Sequence, residues 1–166
     1  MKQEDRYDSL FKYYGEQMSI DWKLLKAQGR AESALDPDAE SRVGAEGLCQ
    51  FMPKTWSVDI APRIRTFYMK HMNLRKYSRS VSRRDPEDSI LGQALYMRQL
   101  MNMFTTTDLA LAAYNWGMGN IKKTIKKVQL LESKMPIDYN NIYEYLPKET
   151  KDYVARLNRI LFYGGN

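Results

Sequence analysis

The chain has 166 residues, 43% of them hydrophobic: enough for one domain with a sizeable core, and with no apolar run near the roughly 18 residues that a membrane span needs. Its formal charge is +6, from 26 basic and 20 acidic residues, and its one cysteine, Cys49, excludes an internal disulfide. The one histidine, His71, leaves too few donors for a protein-built zinc site, so neither a metal nor a cofactor is expected.

The N-terminus, Met1-Lys2-Gln3-Glu4-Asp5-Arg6, is charged and leads into no apolar h-region, so no secretory signal is expected. The first helix is predicted over residues 20–31, with Ile20, Leu24, Ala27 and Ala31 on one stripe and Leu25 beside it. Ser19 or Asp21 would cap its start, and Asp36-Pro37 stops the chain soon after Glu32-Ser33. Residues 34–55 read as loop, where Gly44-Ala45-Glu46-Gly47 fits a tight turn or a small hairpin. Residues 57–84 show no clean period and are predicted to be a long basic insertion. Within 60–84 lie Arg63, Arg65, Lys70, Arg75, Lys76, Arg79, Arg83 and Arg84 and no acid, so the positive charge is local. Such a stretch suits an anionic partner, and the alternative is a solvated loop with none.

A helix start is predicted at Asp85-Pro86, with Asp85 as N-cap, Pro86 at the first helical position, and Glu87 and Asp88 favouring the helix dipole. Ile90, Ala94, Met97 and Met101 continue it on one stripe. Asp108 is the expected cap of a short run, Leu109-Ala110-Leu111-Ala112-Ala113, apolar all round and therefore central. That run ends at Tyr114-Asn115-Trp116-Gly117. A basic amphipathic helix follows over residues 120–131. Residues 150–161 form the last helix, with Tyr153, Leu157 and Ile160 on one side. There are no repeats and no βαβ alternation, so one mainly α domain is expected over residues 1–166, with little or no β structure, as a monomer.

Taken singly, a glutamate at a helix end is usually a solvated surface residue, and a Tyr-Asn pair after a buried helix is usually a packed ring and a cap. Four blocks in order carry more. Ala31-Glu32-Ser33 precedes Asp36-Pro37-Asp38-Ala39-Glu40-Ser41 and Gly44-Ala45-Glu46-Gly47-Leu48-Cys49-Gln50-Phe51-Met52-Pro53. Then come Asp85-Pro86-Glu87-Asp88-Ser89-Ile90, Ala110-Leu111-Ala112-Ala113-Tyr114-Asn115-Trp116-Gly117, and Pro147-Lys148-Glu149-Thr150-Lys151-Asp152-Tyr153-Val154. Together, over about residues 20–160, these resemble domains of the soluble-lytic-transglycosylase type.

The resemblance implies a lysozyme-like helical fold with a cleft for glycan strands. It also implies cleavage of the β-1,4 bond between N-acetylmuramic acid and N-acetylglucosamine in peptidoglycan. It casts Glu32 as general acid and base, and Ser41, Gln50, Tyr114, Asn115 and Tyr153 as substrate-binding residues. Cys49, Trp116 and Met118 depart from the family pattern without removing a catalytic group. The chemistry needs a carboxyl that still holds its proton when substrate arrives, which desolvation favours. No second carboxylate stands out, although Asp36, Asp38, Glu40 and Glu46 lie near Glu32 in sequence. That absence fits family chemistry in which Glu32 closes a 1,6-anhydro ring without water. A water-using lysozyme on the same scaffold is the alternative enzyme, and a non-catalytic wall-binding module the alternative of another class. The expected partners are peptidoglycan strands and, through residues 60–84, the anionic bacterial envelope, rather than nucleic acid. The expected setting is a bacteriophage lysin, an endolysin or a virion component, made in the host cytoplasm and acting on the periplasmic wall.

Overall fold

The computed structural model describes residues 5–71, 80–132 and 137–163, and the chain clusters into two compact units, Met1–Tyr96 and Met97–Asn166. The expected mainly helical fold is what forms. Among the described residues there is no strand, only two isolated antiparallel bridges, Glu40 with Glu46 and Glu46 with Phe51.

The first unit opens with α1 (Asp8–Met18), a helix that was not predicted, which buries Phe11 and Tyr14 completely. Ser19 ends it in the left-handed region (φ 51°) and so does not cap the next helix. That role falls to Asp21, whose carboxylate accepts the Lys23 N–H at 2.9 Å at the start of α2 (Trp22–Ser33). Leu24, Leu25 and Ala27 face inward, and α1 packs against α2. At the end of α2 the chain turns sharply, because Ala34 (φ 56°) and Leu35 (φ 65°) are both left-handed without being glycine. Their N–H groups return to Arg30 O at 3.0 Å and Gly29 O at 3.4 Å, which satisfies carbonyls at the helix terminus.

The predicted irregular stretch 57–84 needs correction. Residues 53–71 run as α3 (Pro53–Thr55), a π-helical turn (Trp56–Ile60) and α4 (Ala61–His71). Ile60, Ile64, Phe67 and Tyr68 form the buried stripe of this run, at ordinary helical spacing. Arg63 pairs with Asp59, four residues earlier, at 2.8 Å. Arg75, Lys76 and Arg79 lie outside the described residues.

The predicted start of α5 (Pro86–Met103) holds in detail. Asp85 accepts the Asp88 N–H at 3.0 Å, and Asp88, fully buried, accepts from Tyr68 Oη at 2.7 Å and from the Ser82 N–H at 2.9 Å. Glu87 accepts from Tyr14 Oη at 2.7 Å. Two acids at a helix N-terminus thus fasten α1 and α4 to α5, and both also meet the positive end of its dipole.

The second unit contains the end of α5, then α6 (Thr107–Trp116), α7 (Met118–Glu132), α8 (Tyr139–Ile142), a 3₁₀ turn (Tyr143–Tyr145) and α9 (Lys148–Tyr163). α6 buries Leu109, Ala110, Leu111, Ala112 and Ala113, and packs against α7 and α9. Its cap is Thr106 rather than Asp108. The Thr106 hydroxyl accepts the Leu109 N–H at 3.3 Å, while Asp108, in the first turn, accepts from Asn158 Nδ2 at 3.1 Å. In α7, Ile121 and Val128 are buried and Lys122, Lys123, Lys126 and Lys127 are exposed, as a basic amphipathic helix requires.

Candidate active site

Glu32 lies half-buried in the last turn of α2. Its neighbour Ser33 anchors that turn. The Ser33 hydroxyl donates to Leu48 O at 2.8 Å and accepts the Asp36 N–H at 3.1 Å. The helix end is thereby tied to Leu48-Cys49-Gln50, of which Leu48 and Cys49 are fully buried.

A buried polar network runs beneath this segment. The Cys49 N–H donates to Ser89 Oγ at 3.2 Å, and the Cys49 thiol donates to Gln93 Oε1 at 3.4 Å. Gln93 Nε2 in turn donates to Leu25 O at 3.0 Å and to Gln28 Oε1 at 3.3 Å. Gln28, Ser89 and Gln93 are all fully buried. Gln28 sits one turn before Glu32 on the same face of α2. The network therefore fixes α2, the 48–50 segment and α5 in one register, because none of these groups can shift without leaving a buried partner unsatisfied.

Burial pushes the Cys49 thiol well above its ordinary value. The Ser89 hydrogen bond works the other way, and the negative charge of Glu32 adds to the rise. Glu32 is thus close enough to be felt at Cys49, and the thiol stays neutral and unsuited to nucleophilic work. His71 stacks on Phe67 with ring centroids 4.6 Å apart.

Ser41 and Gln50 shape the loop that follows Glu32. Ser41 closes a turn, its hydroxyl accepting the Ala45 N–H at 2.9 Å. Gln50 is left-handed (φ 51°), and its Nε2 donates to Gly47 O at 2.9 Å and Ala39 O at 3.2 Å. Arg83 and Arg84 clasp the same loop from outside. Arg83 donates to Gly44 O at 2.9 Å and Phe51 O at 3.0 Å and pairs with Glu46 at 3.1 Å. Arg84 donates to Asp38 O at 3.1 Å and to Glu40 at 2.8 Å. At Gly47 (φ 80°) a Cβ would sit 1.9 Å from Arg83 O, so only glycine lets the two backbones pass. These two arginines were read from sequence as part of a basic patch, whereas the structure uses them as fasteners. The available signal was complementarity, since the loop they hold carries Asp36, Asp38, Glu40 and Glu46.

In the second unit, Tyr114 and Asn115 occupy the last turn of α6, which ends at Gly117 (φ 94°). Asn115 Oδ1 accepts from Thr150 Oγ1 at 2.9 Å, and Thr150 is buried. Tyr153, also buried, lies one turn further along α9 on the same face as Thr150. The structure thus groups Asn115 with the Thr150–Tyr153 face. Thr150 fixes how the Asn115 amide points, a role that sequence reasoning missed. Glu32, Ser41 and Gln50 belong to the first unit, and Tyr114, Asn115 and Tyr153 to the second.

A profile of the transglycosylase SLT domain matches residues 9–135. The chain belongs to the transglycosylase SLT domain family. This SLT domain is 30% identical over 151 residues to the membrane-bound lytic murein transglycosylase F of Ectopseudomonas mendocina, an alignment covering 86% of the chain and 27% of the relative. It is 32% identical over 153 residues to the soluble lytic murein transglycosylase of Escherichia coli K12, covering 91% and 22%. The crystal structure of the 70 kDa soluble lytic transglycosylase of Escherichia coli superposes with a TM-score of 0.68 at 29% identity, over 92% of the chain and 23% of that structure. A complex of the 70 kDa soluble lytic transglycosylase with bulgecin A gives a TM-score of 0.70 at 27% identity, over 98% and 25%. The SLT domain spans about a quarter of the length of the curated relatives it matches.

Proposed function

We propose that this SLT domain cleaves the β-1,4 bond between N-acetylmuramic acid and N-acetylglucosamine in peptidoglycan, as a lytic transglycosylase that leaves 1,6-anhydro ends. Glu32 is the catalytic residue. Its proton passes to the bridging O4 as the C1–O4 bond breaks, and the N-acetyl group of the substrate assists departure. The same carboxylate then takes the proton of the C6 hydroxyl as the C1–O6 bond forms. Glu32 ends as it began and no water enters, so the products differ from the substrate only by rearrangement. No step calls for a cofactor or a metal. Ser41 and Gln50, and Tyr114, Asn115 and Tyr153, are the residues proposed to bind the sugars.

The observation that carries this reading is the engagement of several other acids in the unit that holds Glu32. Glu40 and Glu46 are paired with Arg84 and Arg83, Asp36 accepts the Asp38 N–H at 2.9 Å, and Glu87 and Asp88 accept from Tyr14 and Tyr68. Hydrolytic pairs need a second carboxyl held ready as base or nucleophile. A mechanism with one carboxyl acting twice fits these residues better. Mass spectrometry of the muropeptides released from purified peptidoglycan tests it. The expected products are one water lighter than hydrolysis products, and reducing ends throughout would replace this reading with the lysozyme alternative. A bacteriophage lysin remains the proposed setting, supported by Arg65, Lys70, Arg75, Lys76 and Arg79 in the acid-free stretch as a match for an anionic envelope. Its test is whether the chain is found in purified virions or in the lysate at the end of infection.

A further inference from the structure

The outer side of α7 carries positive charge that the fold itself does not use. Residues 118–131 hold four lysines and no acid. At helical spacing the exposed side chains form two parallel rows, Lys122–Lys126–Leu130 and Lys123–Lys127–Leu131, while Ile121, Thr124 and Val128 face the core. None of the four lysines makes an ion pair with a described residue. Lysines four residues apart repel one another and disfavour the helix. The last turn of α7 is where a cation would meet the negative end of the dipole, yet it holds no basic residue. Leu130 and Leu131 stand there instead, 77% and 64% exposed. In water both placements are unfavourable: the cations crowd one another and the leucines meet solvent.

Exposed tyrosines extend this surface. Tyr143 and Tyr145 lie in the 3₁₀ turn after α8. Lys127 Nζ sits over the Tyr145 ring at 5.1 Å, and Lys151 Nζ, from α9, over the Tyr143 ring at 4.6 Å. All these groups belong to the second unit, whereas the basic residues of 60–84 belong to the first.

We infer that this face of α7 docks on a lipid bilayer with anionic headgroups. The two rows supply what such a surface takes: ammonium groups for the phosphates and an apolar tip for the acyl boundary. The spacing fits as well. Each leucine lies four residues past a lysine, about 6 Å along the helix axis, and the headgroup layer is roughly 5–8 Å deep. With the C-terminal end of α7 tilted into the bilayer, the leucines reach the hydrocarbon. Lys126 and Lys127 stay among the phosphates, their flexible stems extending toward them. Tyr143 and Tyr145 suit the same depth, since a phenol has an apolar body and a polar tip. A polyanion without lipid, such as duplex nucleic acid or a phosphate polymer of the wall, would answer the lysines and leave the leucines in water. The leucines therefore decide for lipid.

The test uses the full chain with vesicles of phosphatidylethanolamine and phosphatidylglycerol, vesicles of phosphatidylcholine alone, and a duplex DNA fragment. Co-sedimentation with the anionic vesicles is expected, with phosphatidylcholine bound at least about a hundredfold more weakly. Combining Lys122→Gln, Lys123→Gln, Lys126→Gln and Lys127→Gln should weaken vesicle binding about a hundredfold or more. The melting temperature of that variant should hold or rise, because the repulsion is relieved. Leu130→Gln with Leu131→Gln should weaken vesicle binding at least about tenfold. A dye sensitive to polarity, attached at Leu131→Cys with Cys49 too buried to react, should shift to the blue on anionic vesicles. Parent-like vesicle binding in either variant would overturn the inference. So would the absence of a dye shift, or DNA bound as tightly as the anionic vesicles. None of these readouts depends on Glu32, so the proposed reaction can fail without moving them.

Discussion

The proposed mechanism asks one carboxyl, that of Glu32, to give a proton and then take one back. Glu32→Gln keeps the shape and removes the titratable proton. General acid–base catalysis contributes about 10²–10⁴-fold, and here both halves of the exchange are lost. Turnover of purified peptidoglycan should fall at least about a thousandfold, with melting temperature and glycan binding retained. Near-normal turnover by the folded variant would remove Glu32 from the mechanism. Cys49 makes the opposite prediction. It is fully buried, neutral, and joined to Gln93 only through a weak thiol bond, so it has a place in packing and none in the chemistry. Cys49→Met should lower stability by about 1–3 kcal/mol through overpacking, with turnover kept within a few fold. A folded Cys49→Met chain without activity would point to a role for the thiol. The motif around Glu32 was legible in the sequence because its members lie in one short run. Gln28 and Gln93 were not, because a glutamine on a helix reads as surface and the two meet across 65 residues of chain.

At the scale of elements, the Arg83–Arg84 fastening separates two kinds of ion pair. Arg83 has a side chain 16% exposed and holds two loop carbonyls besides Glu46, whereas Arg84 is 39% exposed at its ion pairs with Glu40 and Glu46. Arg83→Gln takes a donor from Gly44 O and Phe51 O and leaves Glu46 with only its longer contact to Arg84, and it should cost about 2–3 kcal/mol in urea unfolding. It should also raise KM, because the loop bearing Ser41 and Gln50 loosens. Arg84→Gln should cost less than about 1 kcal/mol. Equal small losses in both variants would show that the loop holds itself. The start of α5 could be read from sequence because its signals are local: an N-cap, a proline and two acids in the first turn. α1 and α4 could not be read so easily, because Lys12 and Glu16 in one, and Arg63, Arg65 and Lys70 in the other, interrupt the eye along stripes that are nevertheless helical. The cap of α6 misled for a related reason: Thr106 and Asp108 are both good caps, and tertiary contact with Asn158 decides between them.

For the whole molecule, a buried thiol and buried phenols that stay protonated set an alkaline limit. Burial raises the Cys49 thiol and the Tyr14 phenol, the latter helped by its bond to Glu87, and pushes Tyr139 up to about 12. Below about pH 8.5 the folded and unfolded chains both keep the thiol proton. Above it the unfolded chain releases the proton first, so stability is full below that pH and falls as pH rises, by about 1.4 kcal/mol per unit for each such group. The phenols join from about pH 10. Melting temperatures from pH 7 to 11 should show this decline, and Cys49→Met should delay its onset to the phenol range. A flat profile would contradict the linkage. Surface charge gives a second whole-molecule prediction. Since Arg83 and Arg84 are engaged, the proposed attraction of residues 60–84 to an anionic envelope would rest on Arg65, Lys70, Arg75, Lys76 and Arg79. Replacing these five with Gln should slow lysis of intact wall at low ionic strength, and the gap should close with salt as the Debye length shrinks to about 8 Å or less. A gap that persists at high salt, or on short soluble glycans, would place these residues in the fold or the cleft instead.

The passage of Gly47 under Arg83 O also bears on how the loop comes apart. Gly44 and Arg83 are 39 residues apart in sequence yet share a hydrogen bond, and the 83–84 segment, packed against the backbone at Gly47, cannot lift without breaking the Arg83 bonds that hold the loop. Residues 39–51 and 80–85 therefore open together or not at all, as one cooperative block. Their amides should exchange with solvent deuterium at a common rate, even though most of them lie outside regular helices. A loop that is irregular by its dihedral angles thus takes on the endurance of the α5 start to which it is fastened.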